Sequence, residues 1–296
     1  VLFSLDAESE DRSDLSARNL YEVGIERVEN HKNSPWYFHL HSYDLHAPYT
    51  PPDAYLAGIE ELPAISYDLS TRIGHYDPVN AWIGLAEVEQ ANVLQHFNFR
   101  YDAEMRYLDD QLADIFEDMD SRGLLDDTLV VFWSDHGEAF FEHLYQSHAF
   151  TLYGEETNAM AAFWVKGGKA LSYTGPTAHE DILPTLLNAF GVSVPESLTG
   201  VVVGEASDDR IIKKVADGKL GLILSVEQFG IRLQHKPFAW NKMYDLTTDP
   251  NEQDNIFEED DAVAVGLLDI VSAEYEKVHA IMDEERKFDE QIPVLK

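Results

Sequence analysis

Between residues 13 and 29, "SDLSARNLYEVGIERVE", the apolar side chains Leu15, Leu20, Val23 and Val28 form a partial stripe, and the spacing predicts an amphipathic helix. In "WYFHLHSY", Trp36, Phe38 and Leu40 alternate with Tyr37, His39 and His41, which predicts a strand with two unlike faces. The next stretch, "DLHAPYTPPDAY", carries Pro48, Pro51 and Pro52, which neither a helix interior nor a central strand accepts, so it reads as a loop at a strand end. Pro63, Gly74 and Pro78 break the segment up to about residue 84 into loops and short turns. From Tyr101 the pattern sharpens: Met105, Leu108, Leu112, Ile115 and Met119 recur at helical spacing, with Gly123 placed to end the helix.

A short turn, "LLDD", leads from that helix into "TLVVFWS", an apolar run without alternation. Such a run predicts a strand buried on both faces, and a helix feeding a buried strand is the grammar of an α/β fold. "AMAAFWV" predicts a second buried strand, closed by the turn "KGGK". "HEDILPTLLNAF" predicts a helix, provided Pro184 falls in its first turn. Beyond about residue 196 the texture changes: "LGLILSVEQFGIRLQH" predicts a hairpin, "KMYDL" another strand, and residues 261–285 a closing helix. The expected organisation is an α/β main domain over residues 1–195 and a smaller α+β subdomain, with a small antiparallel sheet and closing helix, over residues 196–296.

Composition narrows the function classes. With 296 residues, 45% hydrophobic and 26% charged, the chain is globular. The 55 acidic residues outweigh 21 basic ones to give a formal charge of −34, a field that repels phosphate backbones and anionic head groups. Nucleic acid is thereby excluded as a partner, and the acid reads as a surface adapted to salt. The absence of cysteine excludes disulfides, thiolate metal sites and a cysteine nucleophile in this chain. No apolar run approaches the roughly 20 residues of a membrane span, and the opening "VLFSLDAESE" shows no targeting signal.

Candidate chemistry gathers at predicted strand ends, where open α/β sheets bind ligands. In "FWSDHGE", Asp135 and His136 offer a carboxylate and an imidazole, donors suited to calcium, magnesium, manganese or zinc; as an isolated pair they are more often a turn with a capping carboxylate than a metal site. His46, in the proline-stiffened "HAPY", is a second candidate, or a surface histidine in a loop. In "EHLYQSH", His143 and His148 are spaced so that they do not share a helical face.

Five stretches in order, "FHLHSYDLHAPYTPP", "YDAEMRYLDDQLADIFEDMDSRGLLDDTLVVFWSDHGE", "FEHLYQSHAFTLYGEE", "HEDILPTLLNAFGV" and "MYDLTTDPNEQDNI", resemble the sulfatase family of the alkaline phosphatase-like superfamily, from Ser34 to Ile256. The resemblance implies a central mixed, mostly parallel sheet flanked by helices. It implies hydrolysis of sulfate esters, with a hydrated formylglycine as nucleophile and one divalent cation, calcium first, as cofactor. Asp135 and His136 then look like the downstream half of the cation's ligand set, while His46 and His148 look like the histidines that meet the sulfate. His143 supports its loop. Asp181 reads as a helix-start carboxylate, and Asp249, Pro250 and Asn251 read as a β-turn.

The family's upstream elements, a Cys or Ser followed by x-Pro/Ala-x-Arg and the first acidic ligands, are not found; in "DLSARN" the arginine stands two residues after Ser16 instead of four. The nucleophile is therefore unassigned. The chain reads as the downstream portion of a longer sulfatase, inactive alone, or else as a sulfatase-like binding protein without catalysis. Phosphonate or phosphodiester hydrolases and phosphoethanolamine-type transferases share the "DHGE" element and the metal logic and form the close runner-up to a sulfatase. Leu45 replaces a usual proline, Phe141 a usual glycine, and "ETNAM" a usual Arg-Val-Pro. The expected partner is a sulfated small molecule or polysaccharide, and family resemblance implies a periplasmic or extracellular location.

Overall fold

A computed structural model describes residues 2–4, 15–69, 78–169, 172–218 and 221–291, arranged in two compact units that interleave along the sequence. The first comprises Val1–Trp133, Phe140–Ser147 and Met160–Lys169. The second comprises Ser134–Ala139, His148–Ala159 and Ala170–Lys296.

In the first unit, helix α1 (Ala17–Asn30) is capped by Ser16, whose side chain accepts from the Asn19 amide. Ser13 and Asp14 of the predicted helix lie outside the described residues. The buried stripe is Ala17, Leu20, Tyr21, Gly24, Ile25 and Val28, whereas Val23 is 62% exposed, so the expected stripe was rotated by one position in the middle. The short helix α2 (Pro78–Ile83) precedes α3 (Glu87–Ser121), which starts well before the expected Tyr101. Its upstream turns bury Val93 and Phe97 among Tyr49, Tyr67, Trp82 and Phe141. Met105, expected in the core, is 48% exposed; Glu104 and Gln111 take buried positions on that face instead.

Helix α3 ends as expected at Gly123, which adopts φ +67°, while the Gly123 and Leu124 amides donate to the carbonyls of Asp120 and Met119. These two bonds satisfy carbonyls that the helix end would orphan. Ala17, Tyr21, Ile25 and Val28 pack with Leu108, Ile115, Met119, Leu124 and Leu125, and Trp36, Phe38 and Leu40 lie against the same cluster, the face predicted for them.

Short paired strands complete this unit. Strand β1 (Leu2–Ser4) runs parallel to β2 (Tyr37–His39), and β3 (Leu129–Trp133) runs antiparallel to β4 (Ala161–Val165) with Val131 opposite Phe163. The mixed pairing and flanking helices are those of an α/β fold. Burial of β3 and β4 on both faces is not found: Phe132, Trp133, Trp164 and Val165 are 39–46% exposed. An unbroken apolar run marks a strand but does not report how many of its faces are covered.

In the second unit, a one-turn helix α4 (Gly154–Thr157) precedes α5 (Ile182–Ala189), whose first turn holds Pro184 as expected. Strands β5 (Ile212–Gly218), β6 (Gly221–Gln228), β7 (Ile231–Lys236) and β8 (Trp240–Asp245) form an antiparallel meander. The expected hairpin is its central pair; Leu220, at the start of that stretch, lies outside the described residues. Strand β5 escaped prediction because Lys213, Lys214 and Asp217 break its alternation. Helix α6 (Ala262–Gln291) lays Ala264, Leu267 and Val271 on Leu224, Val226, Leu233 and Met243 of the sheet. The Glu252 amide closes the Asp249 turn, as the sequence implied; Asp181 stands at the start of α5 but caps none of its amides, and instead accepts, buried, from the Ala178 and Val201 amides and from Arg210.

Candidate active site

Strand β3 ends at Trp133, and the next five residues turn sharply, held mainly through backbone groups of the second unit. The Ser134 carbonyl accepts from His179 Nε2 at 2.9 Å, which fixes the segment before Asp135. Asp135 Oδ1 accepts from the His136 amide at 3.0 Å, the local capping bond of a turn. Its other oxygen lies 3.6 Å from His136 Nε2. His136 Nδ1 donates to the Gly137 carbonyl at 2.7 Å, so the ring's lone pair is on Nε2, the atom facing the carboxylate. The Gly137 amide donates to the Glu156 carbonyl at 2.9 Å. A Cβ at Gly137 would sit 2.2 Å from the Glu155 carbonyl oxygen, so this approach of two backbones requires glycine.

His148 lies against this turn, its ring centroid 3.9 Å from that of His136. Glu138 orients it, accepting from Nδ1 at 3.1 Å with both side chains largely buried. The Glu138 bond raises the His148 pKa, and burial opposes the rise without cancelling it. Just beyond, the buried Glu156 carboxylate accepts from the Phe150 and Thr151 amides and the Thr151 hydroxyl. Burial pushes Glu156 up in pKa while those three donors pull it back.

His46 belongs to the first unit. Its Nδ1 donates to the Ala47 carbonyl at 2.7 Å, and the Tyr43 ring lies 5.6 Å away. The loop that bears it is clamped on both sides to α3. Asp44 accepts from Gln111 Nε2 at 2.9 Å and from the Ala17 amide at 2.7 Å, while the Thr50 amide donates to Glu104 at 2.6 Å. Leu45 packs against the cluster beneath α1 and α3. His143 stands half-buried in the turn closed by the Phe141 amide and the Tyr145 carbonyl. Ser16 is an N-cap, as described above.

Thus Asp135, His136 and His148 come together within one unit. The groups that hold the candidates, namely Glu138, Glu156, His179, Asp44, Glu104 and Gln111, were not singled out by sequence reasoning. Glu138, inside "DHGE", and Asp44, two residues before His46, were adjacent to a signal. Among the described residues no group of three or more His, Asp or Glu side chains is gathered to hold a metal ion. The Asp135 and His136 donors fit one side of a divalent cation: an oxygen and a nitrogen 3.6 Å apart can both lie roughly 2.0–2.5 Å from a common ion. Among the described residues no helix is long and apolar enough to cross a membrane.

Residues 7–192 match the family described as Sulfatase. The chain is 23% identical over 263 residues to choline-sulfatase of Rhizobium meliloti (strain 1021), an alignment covering 82% of this chain and 50% of that protein. It therefore spans about half the length of that curated relative. Its fold resembles that of yidJ from Bacteroides fragilis, with a TM-score of 0.68, 19% identity, and coverage of 89% of this chain and 59% of the other. It also resembles the phosphonate monoester hydrolase of Agrobacterium radiobacter, with a TM-score of 0.64, 17% identity, and coverage of 93% and 62%. The family match over more than half of the sequence, together with these likenesses of fold, establishes that the chain belongs to the sulfatase family and has the alkaline phosphatase-like fold.

Proposed function

We propose that this chain supplies the downstream half of an active site that hydrolyses sulfate esters. The observation that carries the reading is the convergence of Asp135, His136 and His148 at the end of β3, with two cation-competent donors 3.6 Å apart and the second imidazole stacked on the first. When bound, a divalent cation would polarise the sulfate oxygens and the nucleophile. Asp135 and His136 would hold it from one side; calcium fits the carboxylate, and the imidazole admits magnesium, manganese or zinc. His46 donates to the leaving oxygen as the sulfur–oxygen bond breaks, and His148, fixed by Glu138, offers a hydrogen bond to the sulfate. The nucleophile remains unassigned in this chain. The choline-sulfatase relative supports a small sulfated ester as substrate, with a sulfated polysaccharide as the larger alternative. Family membership favours an exported enzyme.

The test is turnover by the full-length gene product of a sulfate monoester, a phosphate diester and a phosphonate ester, with and without divalent cation. The expected result is cation-dependent sulfate hydrolysis that Asp135→Asn abolishes and His46→Ala lowers by about 10²–10³. Turnover of the phosphorus esters without sulfate hydrolysis would replace this reading by that of a phosphonate or phosphodiester hydrolase. No turnover and no cation uptake would leave a binding protein.

A further inference from the structure

Glu252 lies in the C-terminal part of the chain, where nothing in the proposed chemistry touches substrate. Its side chain is nevertheless built into a demanding place. It is 1% exposed, it follows the Asp249 turn, and its backbone adopts φ +53°, a region a non-glycine residue enters rarely. One carboxylate oxygen accepts from the Gly154 amide at 2.6 Å and from Arg232 Nη1 at 2.8 Å. The other accepts from Gln234 Nε2 at 3.1 Å.

Charge neutralisation of Arg232 alone does not account for this arrangement. Arg232 already holds Glu227 through Nε at 3.2 Å and Nη2 at 2.9 Å. What Glu252 adds is the bond to Gly154, the first residue of α4. Helix α4 is a single turn, too short to stand by itself, and it carries both sides of the candidate site. The Glu156 carbonyl receives the amide of Gly137, next to His136. The Glu156 carboxylate receives the amides of Phe150 and Thr151, just after His148. Lys214 adds a lesser tie through the Thr157 hydroxyl at 3.0 Å.

We infer that Glu252 is a positioning residue of the candidate site: by anchoring α4 through the Gly154 amide it sets the separation and orientation of His136 and His148. The inference rests on the reading that Asp135 and His136 hold a cation only for its functional consequence. The geometric part stands on the second unit alone.

Two substitutions separate anchoring from ion pairing. Glu252→Gln keeps a carbonyl oxygen within reach of the Gly154 amide and removes the charge. Glu252→Asp keeps the charge and withdraws the oxygens by one methylene. Both are made in the full-length protein. In the metal-free state, ring nitrogen spectra of ¹⁵N-histidine-labelled protein and hydrogen exchange at Gly137 are read; Mn²⁺ titration then gives cation affinity. Anchoring predicts that the Gln variant keeps the wild-type His136 and His148 signals and Gly137 protection, while the Asp variant loses them and binds Mn²⁺ about 10–100-fold more weakly.

Pure ion pairing predicts the reverse order, and that order, or equal effects, overturns the inference. Arg232→Gln weakens the charge pair and leaves the Gly154 amide bond to Glu252 in place; anchoring predicts wild-type histidine signals and ion pairing predicts the Asp result, which also covers an Asp variant that fails to fold. Should the wild type take up no Mn²⁺ while the histidine signals follow the predicted order, the cation reading fails and the positioning role holds.

Discussion

Phe141 occupies a backbone position that suits glycine, and the consequence can be worked out before any measurement. Its φ is +68°, a left-handed conformation that costs an L-residue roughly 1–2 kcal/mol. Its ring, however, is 6% exposed and stacks on Trp82 with centroids 4.1 Å apart and planes 4° from parallel, with Tyr67 and Phe97 edge-on at 6.0 and 6.1 Å. Burying a phenyl ring contributes about 1.5–3 kcal/mol, and the aromatic contacts add about 0.5–1.5 kcal/mol. Packing therefore outweighs the strain, which explains how a bulky residue holds a left-handed conformation here.

Truncation should expose the two terms separately. Phe141→Ala loses the ring, a cost of about 3–5 kcal/mol, and keeps the left-handed strain. Phe141→Gly loses the same ring but recovers roughly 1–2 kcal/mol of strain, less about 0.5–1 kcal/mol for the freer unfolded chain. The glycine variant is therefore expected to match or exceed the alanine variant in stability, by up to about 1.5 kcal/mol, whereas at an ordinary position alanine leads by about 0.4–1 kcal/mol. Urea unfolding of wild type and both variants, followed by tryptophan fluorescence, measures the order. Alanine above glycine by its ordinary margin of about 0.4–1 kcal/mol would show that the strain is not there. The strain continues along the same loop, since Leu144, Ser147 and Ala149 also have φ between 67° and 78°, the last two flanking His148.

Two further outcomes are expected. Burial raises the Glu104 carboxyl from 4.5 to about 7, with the Thr50 amide opposing and Asp44 adding to the rise. The native state thus binds a proton that the unfolded state has released, so stability falls as pH climbs from about 4.5 to 7, by about 3 kcal/mol in all. Glu104→Gln keeps an acceptor for Thr50 and should flatten that slope, raising stability above pH 7 and not at pH 4; unfolding curves across this range check it, and an unchanged slope refutes it. The charge of −34 should make the protein more stable in salt, because screening shortens from about 10 Å at 0.1 M to about 3 Å at 1 M. A melting temperature that stays level or drops between those concentrations of NaCl would contradict an acid-loaded surface under self-repulsion.

Periodicity found α1, α3, α5 and α6 because their apolar residues are dense enough to mark a face. It misplaced Met105 because α3 buries Glu104 and Gln111 on the inward face, and a pattern of apolar positions reads buried polar residues as surface. The burial of Glu104 and Gln111 has a purpose that pattern cannot express: each holds one end of the His46 loop. Likewise "TLVVFWS" announced a strand but not its partly exposed residues, and the two lysines of β5 disguised a strand whose Lys214, lowered by burial to about 8, tucks its ammonium group beside Thr157.

The candidate site shows the same division between what residues advertise and what holds them. Asp135, His136, His46 and His148 were legible because acids and imidazoles at strand ends are chemically conspicuous. Their supports are largely main-chain groups: the Ser134 carbonyl on His179, the Gly137 carbonyl on His136, the Glu156 carbonyl on the Gly137 amide, the Thr50 amide on Glu104. A main-chain donor or acceptor is present at nearly every residue, so no letter in the sequence reports which one is used. Glycine is the exception. Gly137 and Gly154 leave space in which backbone or a carboxylate approaches their amides, and in this fold such glycines are the sequence marks that point from the conspicuous side chains to the groups that hold them.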